Sequence, residues 1–158
     1  LQQEENQEQF SRILIKNTSR NQFLGIKGFF EAFEVAVPDN FYDKIDNDFT
    51  LFVYATSSET RLGFVIKIND KDGVADLMKN WEKTMEKDFN TLFSKGLKNP
   101  QAAISPIFKN AYFKKQLFRY QTFAKNDFGI CYGVVGDYLI FTTSGKSMLK
   151  IIDLIPSQ

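Results

Sequence analysis

No histidine occurs among the 158 residues, and cysteine occurs once, at Cys131. A single cysteine forms no intramolecular disulfide, and without histidine there is no zinc finger or imidazole-based metal site to assemble. The absence weighs most on catalysis, because imidazole is the side chain best suited to moving protons near neutral pH. An enzyme built on this chain would have to work through Asp, Glu, Lys or Tyr. Long apolar runs are missing too: none approaches the roughly 18 residues a membrane-crossing helix needs, and no basic-then-apolar signal opens the chain.

Aromatic residues, by contrast, are plentiful, with seventeen phenylalanines and six tyrosines. Side chains of that size bury a large area each, so their simplest use is a core. A chain of this length forms one domain and buries about 68–70% of its unfolded surface. The formal net charge is +1, but unevenly spread. Residues 31–94 hold thirteen acids against seven bases, whereas residues 89–126 hold seven bases and no acid. The second segment is a candidate basic patch. The opening LQQEENQEQ, residues 1–9, is polar and starts with Leu rather than Met. It reads as a lead-in or linker left by an upstream cut, with one domain over residues 10–158.

Periodicity places the elements. FSRILIKN (10–17) suits a strand, and FLGIKGFFEAF (23–33) has helical spacing with Asn21 as its cap. A helical turn is expected after Pro38. DFTLFVYA (48–55) and RLGFVIKI (61–68) alternate around the turn TSSET, which predicts a hairpin. Asp70 is expected to cap the longest helix, with Val74, Leu77, Met78, Trp81, Met85, Phe89 and Leu92 in one stripe before Gly96. Residues 96–107 read as a loop, and 111–123 as a bent strand or strand pair. FGICYGVV (128–135) and DYLIFTT (137–143) flank Gly136-Asp137, a hairpin signal, and a last helix spans 146–155. Asn47-Asp48-Phe49 and Asn126-Asp127-Phe128 each precede a hairpin and a helix, which suggests a ββα duplication. The expected fold is α+β: an antiparallel sheet with helices on one face, a β-α-β-β-α-β core in ferredoxin-like order, an extra hairpin and a C-terminal helix.

Few motifs carry chemistry. Gly145-Lys146-Ser147 follows a strand and precedes a helix, yet a phosphate-binding loop needs a glycine where Ile140 stands. Ser144 is better read as the cap of the last helix. Ser147 and Lys150 have the S-x-x-K spacing of acyl enzymes, without the companion signatures. An RNA-binding sheet would need stacking aromatics where Leu14 and Ile66 stand, so no specific nucleic acid is expected. Cys131, between Gly129 and Gly133, reads as a small buried residue. No cofactor, metal or catalytic set emerges.

Two surfaces remain. Residues 108–125, FKNAYFKKQLFRYQTFAK, interleave Lys109, Lys114, Lys115 and Arg119 with Tyr112 and Tyr120, which suits an anionic surface, an envelope component or an acidic protein partner. The opposing use of such lysines is to guard a sheet edge. Phe52 and Tyr54 point away from the inward positions of their strand, so another element, a second subunit or a ligand must cover them.

NDFTLFVY, RLGFVIKI, NWEKTMEKD and DYLIFTTSGKSMLKIID resemble an uncharacterised group of bacterial proteins from candidate-phyla genomes, over about residues 10–155. In that group the domain follows an N-terminal membrane helix. The resemblance implies a membrane-anchored, extracytoplasmic protein, tethered by a segment outside this chain, and implies no activity. Together these readings favour a non-enzymatic binding or assembly module. The alternatives are a carrier of apolar ligands or lipids, with phenylalanines lining a cavity, and a hydrolase using Ser147 and Lys150.

Overall fold

Seven strands, every neighbouring pair antiparallel, form the main sheet, and the alternating stretches of the sequence lie at its centre. The computed structural model describes residues 8–96 and 103–156. Within them the chain forms β1 (Gln9–Ile13), β2 (Lys16–Asn17), β3 (Gln22–Phe23), α1 (Ile26–Ala32), α2 (Phe41–Lys44), β4 (Ile45–Ala55) and β5 (Thr60–Ile68). It continues as α3 (Val74–Asp88), a π-helical turn (Leu92–Gly96), β6 (Lys109–Phe113), β7 (Gln116–Thr122), β8 (Gly129–Val135), β9 (Tyr138–Thr142) and α4 (Gly145–Leu154). The sheet order is β1-β4-β5-β9-β8-β7-β6, with β2 and β3 paired apart from it. The fold is α+β. No helix of the described residues is long and apolar enough to cross a membrane.

Helices occupy both faces of the sheet, which corrects the one-face expectation. The cause is the alternation within strands. Phe64, Ile66, Leu139 and Phe141 point into the larger cluster with α1 and α3, while Phe52, Cys131 and Ile140 point the other way, onto Met148, Ile151 and Ile152 of α4. Nor does the sheet follow ferredoxin-like order: that split β-α-β arrangement needs a parallel strand pair, and here β1 lies antiparallel to β4 at one edge. Nor do the two ββα units pack as symmetric halves. β5 and β9 are antiparallel neighbours, so a two-fold axis relating the hairpins would run normal to the sheet and keep both helices on one face, whereas α3 and α4 lie on opposite faces.

The larger core is a stack of rings. Phe89 lies 4.4 Å from Phe141, which lies 5.0 Å from Phe64. Phe30 meets Phe64 and Phe89 edge-on, the offset and edge geometries that aromatic quadrupoles favour. The phenylalanines therefore fill the space between α1, α3 and the sheet.

Local differences have local causes. The expected strand over 10–17 breaks into β1 and β2, and Asn17 Oδ1 accepts from the amides of Ser19 and Arg20 to turn the chain. Asn21 has φ 52 and belongs to that turn; α1 starts later, behind Gly25. Asp70 does not cap α3. It accepts from Lys44 Nζ at 2.9 Å and from the Asp72 amide, and Gly73, with φ 74, precedes the helix. Gly63 faces the Phe52 ring so closely that a Cβ would lie 2.2 Å from it.

Candidate functional site

The expected patch lies on β6 and β7, at one end of the sheet, and the structure divides its residues. The Phe113–Gln116 pair closes a two-residue turn at Lys114 and Lys115, whose φ angles are 47° and 65°. Positive φ at both positions is what a type I′ hairpin requires, and asparagine-glycine is the favoured pair there. Two lysines carry a steric cost that glycine avoids. Lys115→Gly is expected to stabilise the domain by about 1 kcal/mol, raising Tm by roughly 2–4 °C in a thermal melt.

Much of the positive charge is already matched. Lys114 pairs with Asp153 of α4, and its ammonium lies 5.6 Å from the Phe113 ring. Arg119 forks onto Glu82 of α3, with Nη2 2.8 Å from Oε2, and also donates to Asn110. The Glu82 carboxylate raises the Arg119 pKa. Tyr132 donates to the same carboxylate, and burial, followed by Glu82, holds its hydroxyl well above the ordinary tyrosine range. Four residues along α3, Glu86 accepts from Gln121 at 3.3 Å and from the Ala103 amide at 3.0 Å. Arg119 is therefore part of the seam that docks α3 on the sheet, each of its three guanidinium nitrogens donating within the domain. Lys95 and Lys125 reach Glu34 and Glu59. Lys109 and Lys115 are exposed and have no ion pair among the described residues.

Apolar groups are the second ingredient. Strand alternation puts Tyr112 and Leu117, 70% and 41% exposed, on the α3 side, where they face each other across the hairpin. On the α4 side, Ala111, Phe118, Tyr120 and Cys131 line a groove of about 320 Å³. Tyr120 and Thr122 also line a smaller one of about 230 Å³, together with Ile104, Ile107 and Lys109. A third, of about 390 Å³, runs between α3 and Leu117, Arg119 and Tyr132. Grooves thus flank the hairpin on both sides. The Ile104 amide donates to Thr122 O at 2.9 Å, which carries the edge past β6. Sequence reasoning missed Ile104, Ile107 and Leu117; two isoleucines in a proline-flanked loop were the available signal.

Phe52 and Tyr54 are no part of this surface. They are 4% and 1% exposed; Phe10 of β1 packs 5.6 Å and 5.0 Å from their rings, and Phe52 shares a cluster with α4. Their covering is intramolecular.

The motifs around α4 resolve into structure. Ser144 accepts from the Ser147 amide at 3.0 Å and donates to Asp127 at 2.7 Å, and Asp127 also accepts from the Lys146 amide at 3.2 Å. A protein carboxylate and a cap hydroxyl thus take first-turn amides that a phosphate would need. Ser147 is fully buried and donates to Ser144 O, while Lys150 pairs with Glu8 at 2.6 Å. That hydrogen bond raises the lysine pKa, the opposite of what a base requires. Ser147 therefore presents no surface from which it could share a cleft with Lys150. Among the described residues, no group of three or more Cys, Asp or Glu is placed to hold a metal.

Burial pushes the Cys131 thiol from 9.0 up to about 12, the Asp127 charge adding to it and a Thr142 hydrogen bond drawing it back. Unfolding frees this thiol to ionise at its ordinary value. Its contribution to stability is therefore complete below about pH 9 and is lost progressively as the pH climbs to about 12. Urea midpoints from pH 7 to 11 are expected to fall less steeply in Cys131→Ala, and the native thiol is expected to resist a thiol reagent that labels the unfolded chain.

No protein-family model, curated protein or solved structure matches this chain.

Proposed function

We propose that the domain is a non-enzymatic binding module, held at a bacterial envelope by a segment outside this chain, that meets its partner through the β6–β7 end of the sheet. One observation carries this reading: Ile104, Ile107, Tyr112 and Leu117, all exposed, gather within fourteen residues around the β6–β7 hairpin. Apolar groups of that size, rimmed by Lys109 and Lys115, mark contact surfaces more often than bare solvent-facing edges. The apolar-carrier alternative is less favoured, because rings pack against rings in the interior. The envelope location rests on the family resemblance alone.

The test is site-specific photocrosslinking in the full-length protein, in its native cells. A crosslinker at Tyr112 or Ile107 is expected to give a discrete adduct, whereas one at Lys87, on the exposed side of α3, gives none. Equal labelling at the three positions, or none at all, removes the reading.

A further inference from the structure

We infer that the β6 edge takes up an extended, acid-ended segment of a partner protein as an additional strand of the sheet. This deepens the binding-module reading and rests on it.

Among the described residues β6 ends the sheet, bonded to β7 alone. In an antiparallel ladder every second residue then turns its N–H and C=O to solvent, a ready template for a further strand. Many proteins blunt such an edge with short strands and lysines. Here the edge is short and has lysines, but it also bears Ile104 and Ile107 before the strand and Tyr112 within it, 70%, 66% and 70% exposed respectively. A guarded edge has no use for that apolar bulk; a strand laid along β6 covers it.

Charge selects the partner. Lys109 opens β6 and Lys115 sits in the turn just beyond its other end, six residues apart in sequence, and residues 89–126 contain no carboxylate. The one cation between them, Lys114, is held by Asp153. The backbone adds a second indication. Lysines occupy both positive-φ positions of the turn, where asparagine-glycine would relieve the steric cost. Residues kept in sparsely populated backbone conformations cluster where function needs them. A matching segment therefore presents a carboxylate at each end and apolar residues between, alternating across the strand as β-structure dictates.

The probe is a synthetic peptide alternating valine and threonine with a glutamate at each end, compared with the same peptide ended in lysines. Amide hydrogen exchange is read by NMR on the whole chain. At millimolar glutamate-ended peptide, solvent-facing amides of β6 are expected to exchange about tenfold more slowly, while those of the other edge, β1, do not change. The lysine-ended peptide is expected to bind about tenfold more weakly, and Lys109→Glu with Lys115→Glu to reverse that preference. Both positions are exposed, so the double variant is expected to keep its melting temperature.

Unchanged exchange in β6 with either peptide overturns strand addition. If the Tyr112 crosslink still forms, the binding-module reading survives and only the strand fails. Slowed β6 amides without peptide, in a sample that light scattering finds dimeric, assign the edge to a second copy and overturn the acidic partner. Co-sedimentation with phosphatidylserine vesicles while β6 exchange stays unchanged assigns the lysines to a lipid surface and overturns it too.

Discussion

Phe89→Ala is expected to lower the unfolding free energy by about 3–5 kcal/mol, among the larger costs of single core truncations. Phe89 has no exposed surface. Its ring lies 4.4 Å from Phe141, 5.3 Å from Trp81, 5.8 Å from Phe30 and 6.1 Å from Phe93. It therefore ties α1, α3 and the π-helical turn to the central strand β9. Removing the ring loses its transfer free energy and leaves a void that four elements must move together to close. For a chain of this size the loss corresponds to a fall in Tm of roughly 10–15 °C, read in a thermal melt or from urea midpoints. Phe89→Leu, which keeps much of the volume, is expected to lose about half as much or less.

Arg61→Leu is expected to cost about 2–4 kcal/mol through a different route. Arg61 is 2% exposed, unusual for a charged side chain, and each of its three guanidinium nitrogens donates a hydrogen bond. Nε donates to Asp127 O at 2.6 Å, Nη2 to Asn126 O at 2.9 Å, and Nη1 to Glu59 and Thr60 O. The guanidinium also faces the Phe128 ring at 5.6 Å. A leucine replaces some of the packing but leaves the carbonyls without their donor. Because Asp127 caps α4 with Ser144, the loss should spread. Faster amide exchange is expected at residues 126–128 and in the first turn of α4, with little change in α3. A uniform change across the chain would contradict a local role.

Patterns confined to one element were legible in the sequence, and relations between elements were not. Alternation at Leu51, Val53, Leu62, Phe64 and Ile66 defined the central hairpin because residues two apart share a face. Ser144 was identifiable as a cap from its place before an apolar helix. The stripe Met148, Ile151, Ile152 marks α4 as amphipathic, but says nothing about which face of the sheet receives it. That another element of the chain would cover Phe52 and Tyr54 was readable; which element does so was not, for the same reason.

Charge misled through distance in sequence. Residues 89–126 look uniformly basic, yet their partners Glu34, Glu59, Glu82 and Asp153 come from outside the segment. Arg61 showed only as an arginine before an apolar strand, its carbonyl partners 65 and 66 residues away. The candidate site was thus half legible: Lys109, Tyr112, Lys115 and Tyr120 remain on the candidate surface, Arg119 and Lys114 have structural partners, and Ile104 and Ile107 emerged only with the fold.

The most direct test of contact through the β6–β7 end is the adduct yield of a photocrosslinker at Lys109, with and without Tyr112→Ser and Ile107→Ser, alongside the urea midpoint of each protein. Exposed substitutions of this kind shift stability by no more than about 0.5 kcal/mol. A yield at least about tenfold lower, with an unchanged midpoint, is the result expected of a contact surface. An unchanged yield would contradict it.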